Sequence, residues 1–365
     1  MVIAISAGIA IFLAKGYRLS PEDIRIVGTG IINISSEPDA ASVFIDGHLT
    51  TSTNATIPSL TPKTYSVRVV KEGFIPWEKD VIVKEGLVTE VKITLFPAIP
   101  TIYPLTFTSL ANPTLSPDGS KLAFIVPATS TLGNNKKAGI WVWTMVKNQP
   151  IAFARSSEPH QVITSLSIDF SKAMLQWSAD SKQILATLGN NNYLLDADRL
   201  NTDPRDISPI LTVTLNEWQD SKEQADALLI ENIKDINFRK IASDSSFVKW
   251  SPDENKFLAR EQAITNQEKE LLGDVKVYDL EDNKQYNLPQ AKSFMWLPDS
   301  RHIILVEEDT ISLVEFDGVN RSVIYAGNFE DNFVFPWPDS SRLVIVSSFP
   351  TPTASEPNLY GINLR

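Results

Sequence analysis

The hydrophobic pattern changes character twice along the chain. Val2–Ala14 is an apolar run of 13 residues. From Gly30 to Leu95 apolar and polar positions alternate in short stretches, as in Ser66-Val67-Arg68-Val69 and Thr89-Glu90-Val91-Lys92-Ile93. That period of two predicts half-buried strands of an antiparallel sheet. From residue 113 onward one hairpin recurs. Phe247–Arg260, FVKWSPDENKFLAR, reads as strand, tight turn and strand. Phe247, Val248 and Trp250 suit a pleated surface. Ser251-Pro252-Asp253 supplies a type I turn, with proline presetting φ and aspartate bonding its own backbone.

The same hairpin is written at Pro113–Val126, Met174–Leu188, Phe294–Glu307 and Phe333–Ser347. The turn aspartates are Asp118, Asp180, Asp253, Asp299 and Asp339, at successive gaps of 62, 73, 46 and 40 residues. The last two gaps match the roughly 40–45 residues of a four-stranded propeller blade. A third strand follows each hairpin, at Gly139–Met145, Asn192–Leu195, Asp274–Tyr278, Thr310–Phe316 and Asn358–Leu364. The expectation is an all-β chain ending in one closed ring of five blades, or six if the longest gap holds another. The last blade lacks a fourth strand, which Thr101–Thr108 is placed to provide.

The 73-residue gap reads as helical. Thr214-Leu215-Asn216-Glu217 has the form of a capping box. Ala225, Leu229, Ile233 and Ile236 recur on one helical face, which predicts a packed decoration on blade 2 or 3. Pro97–Pro104 holds three prolines and reads as an extended spacer. The predicted organisation is a membrane-anchor helix over 1–19, a juxtamembrane linker over 20–27, a small β-sandwich over 28–97, a proline-rich linker over 98–104 and the propeller over 105–365.

As a helix the apolar run spans roughly 20 Å, against a hydrocarbon core of roughly 30 Å. Extension through Tyr17, with Lys15 snorkelling, brings it closer to spanning length. A buried core helix and a cleaved signal peptide are the rival readings. The run lacks a basic leader and an obvious small-residue cleavage site. Lys15, Arg18 and Arg25 all follow it, which by the positive-inside rule places the bulk of the chain in the cytoplasm. A longer true N-terminus carrying a basic leader is expected to reverse that.

Two resemblances sharpen the reading. Ser36-Glu37-Pro38-Asp39-Ala40-Ala41-Ser42-Val43-Phe44-Ile45-Asp46-Gly47 resembles the opening of a PEGA domain, and Pro62–Tyr65 and Lys71-Glu72-Gly73-Phe74 with Trp77 continue it. The residues carrying this likeness are Pro38, Ala41, Asp46, Gly47, Gly73, Phe74 and Trp77. Ala40 stands where the family has its namesake glycine. The resemblance implies a small β-sandwich found on extracytoplasmic envelope proteins, and so an outside orientation. The Ser-Pro-Asp-Gly turns with flanking Trp and Phe resemble the WD-repeat-like propellers of the periplasmic Tol system.

Composition narrows the function. The net charge is −11, and residues 101–365 hold 24 basic and 34 acidic side chains. An acidic surface repels phosphate backbones, so nucleic acid is excluded as a partner. There are no cysteines, which removes thiolate metal sites and cysteine nucleophiles. His48, His160 and His302 show no ligand spacing, and no Gly-x-Ser-x-Gly elbow exists. Asp196-Ala197-Asp198 with Asp203 and Asp206 lacks the glycine and bidentate glutamate of a calcium loop. The expectation is a single-pass cell-membrane protein, extracytoplasmic in bulk, without cofactor or metal and not an enzyme. Its propeller would bind a protein or glycan at the envelope, with the sandwich as a stalk. The alternatives are a structural spacer, or a propeller-channel glycosidase or lyase using paired carboxylates.

Overall fold

The computed structural model describes residues 6, 17–19, 26–107, 109–128, 138–145, 158–165, 167–260, 274–330, 333–349 and 356–365. The chain divides into two compact units, one of Met1–Pro100 with Arg365 and one of Thr101–Leu364.

In the first unit two sheets face each other. Ala55–Leu60, Gly30–Glu37 and Val88–Thr94 form one, in that order, and His48–Ser52, Ser42–Ile45, Thr64–Val70 and Trp77–Ile82 form the other. The alternation seen in the sequence puts Ile32, Ile34, Val43, Val67 and Val69 wholly inside, with Trp77 and Ile93 beside them. One pairing departs from the expected antiparallel order. Val88–Thr94 runs parallel to Gly30–Glu37, with Ile31 opposite Val88. Alternation reports a buried face, not the direction of pairing. His48–Ser52 and Ala55–Leu60 are strands that the alternation does not announce. His48–Ser52 is an edge strand with almost every side chain exposed.

The anchor helix expected over 1–19 falls largely outside the described residues. Its last turn is corrected: Tyr17–Leu19 is a strand paired antiparallel with Ile26–Gly28, across the expected linker. Among the described residues no helix is long and apolar enough to cross a membrane.

The second unit holds five four-stranded antiparallel sheets. Blade 1 comprises Ala111–Leu115, Lys121–Val126, Gly139–Thr144 and His160–Thr164, and blade 2 Met174–Trp177, Gln183–Leu188, Asn191–Asp196 and Arg205–Asp206. Blade 3 comprises Val248–Trp250, Lys256–Arg260, Val275–Asp279 and Lys284–Asn287, and blade 4 Ser293–Trp296, His302–Val306, Thr310–Glu315 and Ser322–Ala326. Blade 5 has three strands from the end of the chain, Val334–Pro336, Arg342–Ser347 and Asn358–Asn363. Its fourth is Ile102–Pro104, with Ile102 opposite Ile362. The closing strand read from the sequence is thus formed. The ring of Tyr103 lies over Gly361, where a Cβ would come within 2.7 Å of it.

Three junctions between neighbouring blades are packed with large apolar side chains. Leu122, Phe124 and Trp143 of blade 1 meet Phe335, Trp337 and Val346 of blade 5. Trp177 and Ile184 of blade 2 meet Ile125 and Val142 of blade 1. Trp296 and Ile303 of blade 4 meet Leu258 and Val277 of blade 3. Two of these junctions carry the same pair of hydrogen bonds. Trp177 Nε1 donates to the Thr114 carbonyl at 3.1 Å and the Asp118 N–H to Ser181 Oγ at 3.3 Å. Trp296 Nε1 donates to the Lys249 carbonyl at 2.9 Å and the Asp253 N–H to Ser300 Oγ at 3.0 Å.

The ring is not closed, which corrects the expectation of a continuous wheel, and the junction of blades 2 and 3 shows a physical reason. By alignment of the repeats Trp250 ought to donate to the carbonyl of Gln176, yet its buried Nε1 has no partner. The position of Ser181 and Ser300 is occupied by Glu254. The face of blade 3 that would meet blade 2, carrying Trp250, Phe257, Ala259 and Tyr278, is covered instead by Ile233, Phe238 and Ala242 of the helical insertion. Phe238 packs edge-on to Tyr278 at 5.1 Å.

That insertion is Ser208–Ile210 followed by α1 (Leu211–Glu231) and α2 (Ile236–Asp244). It fills the gap in which a sixth blade was possible. Helix α1 begins at Leu211, ahead of the expected capping box, because Ser208-Pro209 opens a 3-10 turn that leads into it. The expected stripe breaks at Asn232–Asp235. Ile233 is buried, whereas Ile236 starts a new helix and is 79% exposed.

Candidate functional site

The five turn aspartates fold their own corners. Asp118 accepts from Ser116 Oγ at 2.6 Å and the Ser120 N–H at 3.0 Å. Asp180 accepts from Ser178 Oγ at 2.7 Å, Asp253 from Ser251 Oγ at 2.6 Å and Asp339 from the Ser341 N–H at 2.8 Å. In blade 4 the serine is replaced by Leu297, and Asp299 bonds the buried His302 Nδ1 at 2.6 Å. The residue after each aspartate has φ between 58° and 69°, at Gly119, Ser181, Glu254, Ser300 and Ser340. Each aspartate belongs to a different blade, so they are repeated turn chemistry, not one constellation.

The residues of the PEGA-like pattern are likewise structural. Asp46 and Gly47 take φ of 48° and 80°, the two left-handed positions of a type I′ hairpin. Asp46 accepts from Lys63 Nζ at 2.7 Å and the Ser66 N–H at 3.1 Å, which holds its carboxyl below the usual range. Ser36 Oγ donates to the carbonyl of Pro38 at 2.6 Å. Ala41 is fully buried and donates its N–H to Thr53 Oγ1 at 2.9 Å. Gly73, at φ 81°, turns the chain so that Phe74 packs on the core that holds Trp77.

A concave site lies where the insertion meets blade 3. It is a pocket of about 850 Å³ built from three segments: the α1–α2 link, the Asp253–Asn255 turn and the Leu280–Asn283 turn. Leu229, Ile233 and Leu280 supply its apolar surface. Around them stand the carboxylates of Asp235, Asp253, Glu254 and Glu281, the amides of Asn232, Asn255 and Asn283, and one cation, Lys234.

Local structure fixes several of these groups. Asp235 caps α2, accepting from the Asn237 and Phe238 N–H groups at 2.8 and 3.0 Å. Asn283 Nδ2 donates to its other oxygen at 3.1 Å, tying the helix start to the blade. The Phe238 N–H and then the Asn283 amide hold Asp235 below the usual carboxylate range. Burial pushes Asp253 up, but Ser251, the Asn255 N–H and Lys256 outweigh it and the net shift is down. Lys256 is buried, with Nζ 3.6 Å from Asp253. Asn255 Nδ2 lies 3.4 Å from Glu281. The Glu254 side chain has no hydrogen-bond or ion-pair partner among the described residues, while its N–H donates to the Ser251 carbonyl at 2.8 Å. Two carboxylates held anionic, beside amides that both donate and accept, suit a cationic or hydroxyl-rich ligand.

Three of the four aspartates considered for a metal are otherwise engaged. Asp196 pairs with Arg199 at 2.9 Å, Asp198 with Lys121 at 2.7 Å, and Asp206 accepts from Ser208 Oγ at 2.6 Å. His160 contacts the Ala197 carbonyl at 3.0 Å. Among the described residues no three His, Asp or Glu side chains gather as a metal site.

Sheet order and pocket together define a bladed all-β protein with a small sandwich ahead of the blades. Residues 29–99 match the family model of the PEGA domain. A search of curated proteins returns no match. Among solved structures the chain is similar to a putative TolB from Agrobacterium tumefaciens, at 16% identity over 67% of this chain and 76% of that one, with a TM-score of 0.25. It is also similar to TolB from Acinetobacter baumannii, at 12% identity over 82% of this chain and 59% of that one, with a TM-score of 0.24. At those TM-scores neither likeness bears on function.

Proposed function

We propose that the chain is a non-enzymatic cell-envelope protein whose bladed unit binds a protein or glycan partner, with the apolar run Val2–Ala14 as its attachment to the membrane. The observation that carries this reading is the pocket between the helical insertion and blade 3. It combines apolar surface, amide groups and ionised carboxylates on rigid turns. The PEGA match is the support for the envelope setting.

The test is capture from detergent-solubilised envelope by the full chain and by the chain lacking residues 101–365. A partner retained by the first and lost by the second supports the proposal. A partner held equally by both assigns binding to residues 1–100 and removes the role given to the blades.

A further inference from the structure

The junction between blades 2 and 3 has lost both bonds that recur at its neighbours, and the loss is written in the residues. Trp250 occupies the position of Trp177 and Trp296 but buries its indole N–H without an acceptor. A buried donor left unmade is a standing penalty that native structures rarely tolerate without reason. Across the gap, Met174 is 71% exposed on the face of blade 2 that turns toward blade 3, and Gln176 beside it is exposed as well. The register places Met174 opposite Thr187 and Gln176 opposite Leu185, so these residues share one face. The matching face of blade 3 is covered by Phe238 and Ala242 of α2. Helix α1, 21 residues long, has no buried residue.

We propose that the helical insertion is a displaceable wedge. When α2 leaves, blades 2 and 3 close on each other and Trp250 Nε1 donates to the Gln176 carbonyl, repeating the bond of the junctions between blades 1 and 2 and between blades 3 and 4. The same movement dismantles the pocket, because Ile233 and Asp235 depart with the insertion while Asp253, Glu254 and Glu281 stay on the blade. A ligand that needs both walls therefore holds the ring open, and closing the ring expels it. This last step rests on the binding function proposed for the pocket; the wedge itself does not.

The chain has no cysteine, so Met174→Cys with Gln285→Cys places two spin labels on exposed sites of blades 2 and 3 in the full chain. The expected result is two separations, the shorter one a minority. Glu254→Ser restores the serine of the other junctions and raises the shorter-distance fraction several-fold, while Trp250→Phe lowers it. A single separation, unchanged by Glu254→Ser, overturns the proposal. If Glu254→Ser does not fold, hydrogen exchange on the unaltered chain decides. Amides of α2 that open well before those of Phe257 and Tyr278 support the wedge, and equal protection refutes it. Neither measurement reads partner capture, so this inference and the binding function fail separately.

Discussion

Substituting phenylalanine for tryptophan at three equivalent positions measures what the open junction costs. Trp177 and Trp296 are each 6% exposed and donate to carbonyls of the preceding blade. Trp177→Phe or Trp296→Phe removes a hydrogen bond with a net value of about 1 kcal/mol and leaves a carbonyl unpaired. The lost ring volume adds a cavity term, so a total near 2–3 kcal/mol is expected for each. Trp250→Phe instead deletes a donor that has no acceptor, and so relieves a penalty of about 1–3 kcal/mol. Trp250 is also only half-buried, which makes its apolar loss smaller and acts in the same direction. The expected outcome is a neutral or stabilising change at Trp250 beside two clear losses. In a unit of this size each kcal/mol moves Tm by about 2–4 °C, so calorimetry on the full chain resolves the difference. A loss at Trp250 equal to the other two would mean that its N–H is bonded, and the reasoning about the junction would be wrong.

Asp299 gives a pH signature. Burial pushes its carboxyl up, but the hydrogen bond and charge of His302 and the N–H groups of Arg301 and His302 bring it below the usual value. A depressed folded pKa contributes stability that is present above the unfolded carboxylate range and is lost as pH falls through the folded value. Asp299→Asn should therefore cost about 2–3 kcal/mol near neutral pH, with the gap to wild type narrowing below about pH 4; urea midpoints from pH 2 to 7 test it, and a constant gap contradicts it. Ala40 sits at φ 53° where glycine carries no penalty, so Ala40→Gly is expected to stabilise the sandwich by about 0.5–1 kcal/mol in thermal melts. Trp77→Ala, which empties a core position 5% exposed, should cost about 3–5 kcal/mol. Asp235→Ala removes the cap of α2 and its tie to Asn283, and limited proteolysis should then cut earlier within 232–235.

What the sequence discloses follows the range of the interactions. The corners are legible because Ser-Pro-Asp chemistry is complete within four residues, as the Ser116–Asp118 and Ser251–Asp253 bonds show. The closing strand is legible because blade 5 visibly lacks one, and Ile102–Pro104 fills it. The parallel pairing of Val88–Thr94 is not legible, since alternation is the same for either direction. The helices are foreseen as helical, but the break at Asn232–Asp235 depends on Asp235 capping a second helix, and an i, i+4 count runs straight through it. The pocket draws on segments near 230, 254 and 281 that only the fold brings together. One sequence signal does point to it. Glu254 interrupts a position that is Gly119, Ser181, Ser300 or Ser340 in every other blade, and a long side chain at positive φ is a costly choice without some compensating role.

Hydrogen exchange of the indole N–H groups tests the open junction most directly. The chain has eight tryptophans, and the three phenylalanine variants assign the three resonances of interest. The indole of Trp250 should exchange well ahead of those of Trp177 and Trp296, which are held by carbonyls of the neighbouring blade. Equal protection of all three would show that blade 3 is bonded to blade 2 like its neighbours, and that the ring has no gap for the insertion to fill.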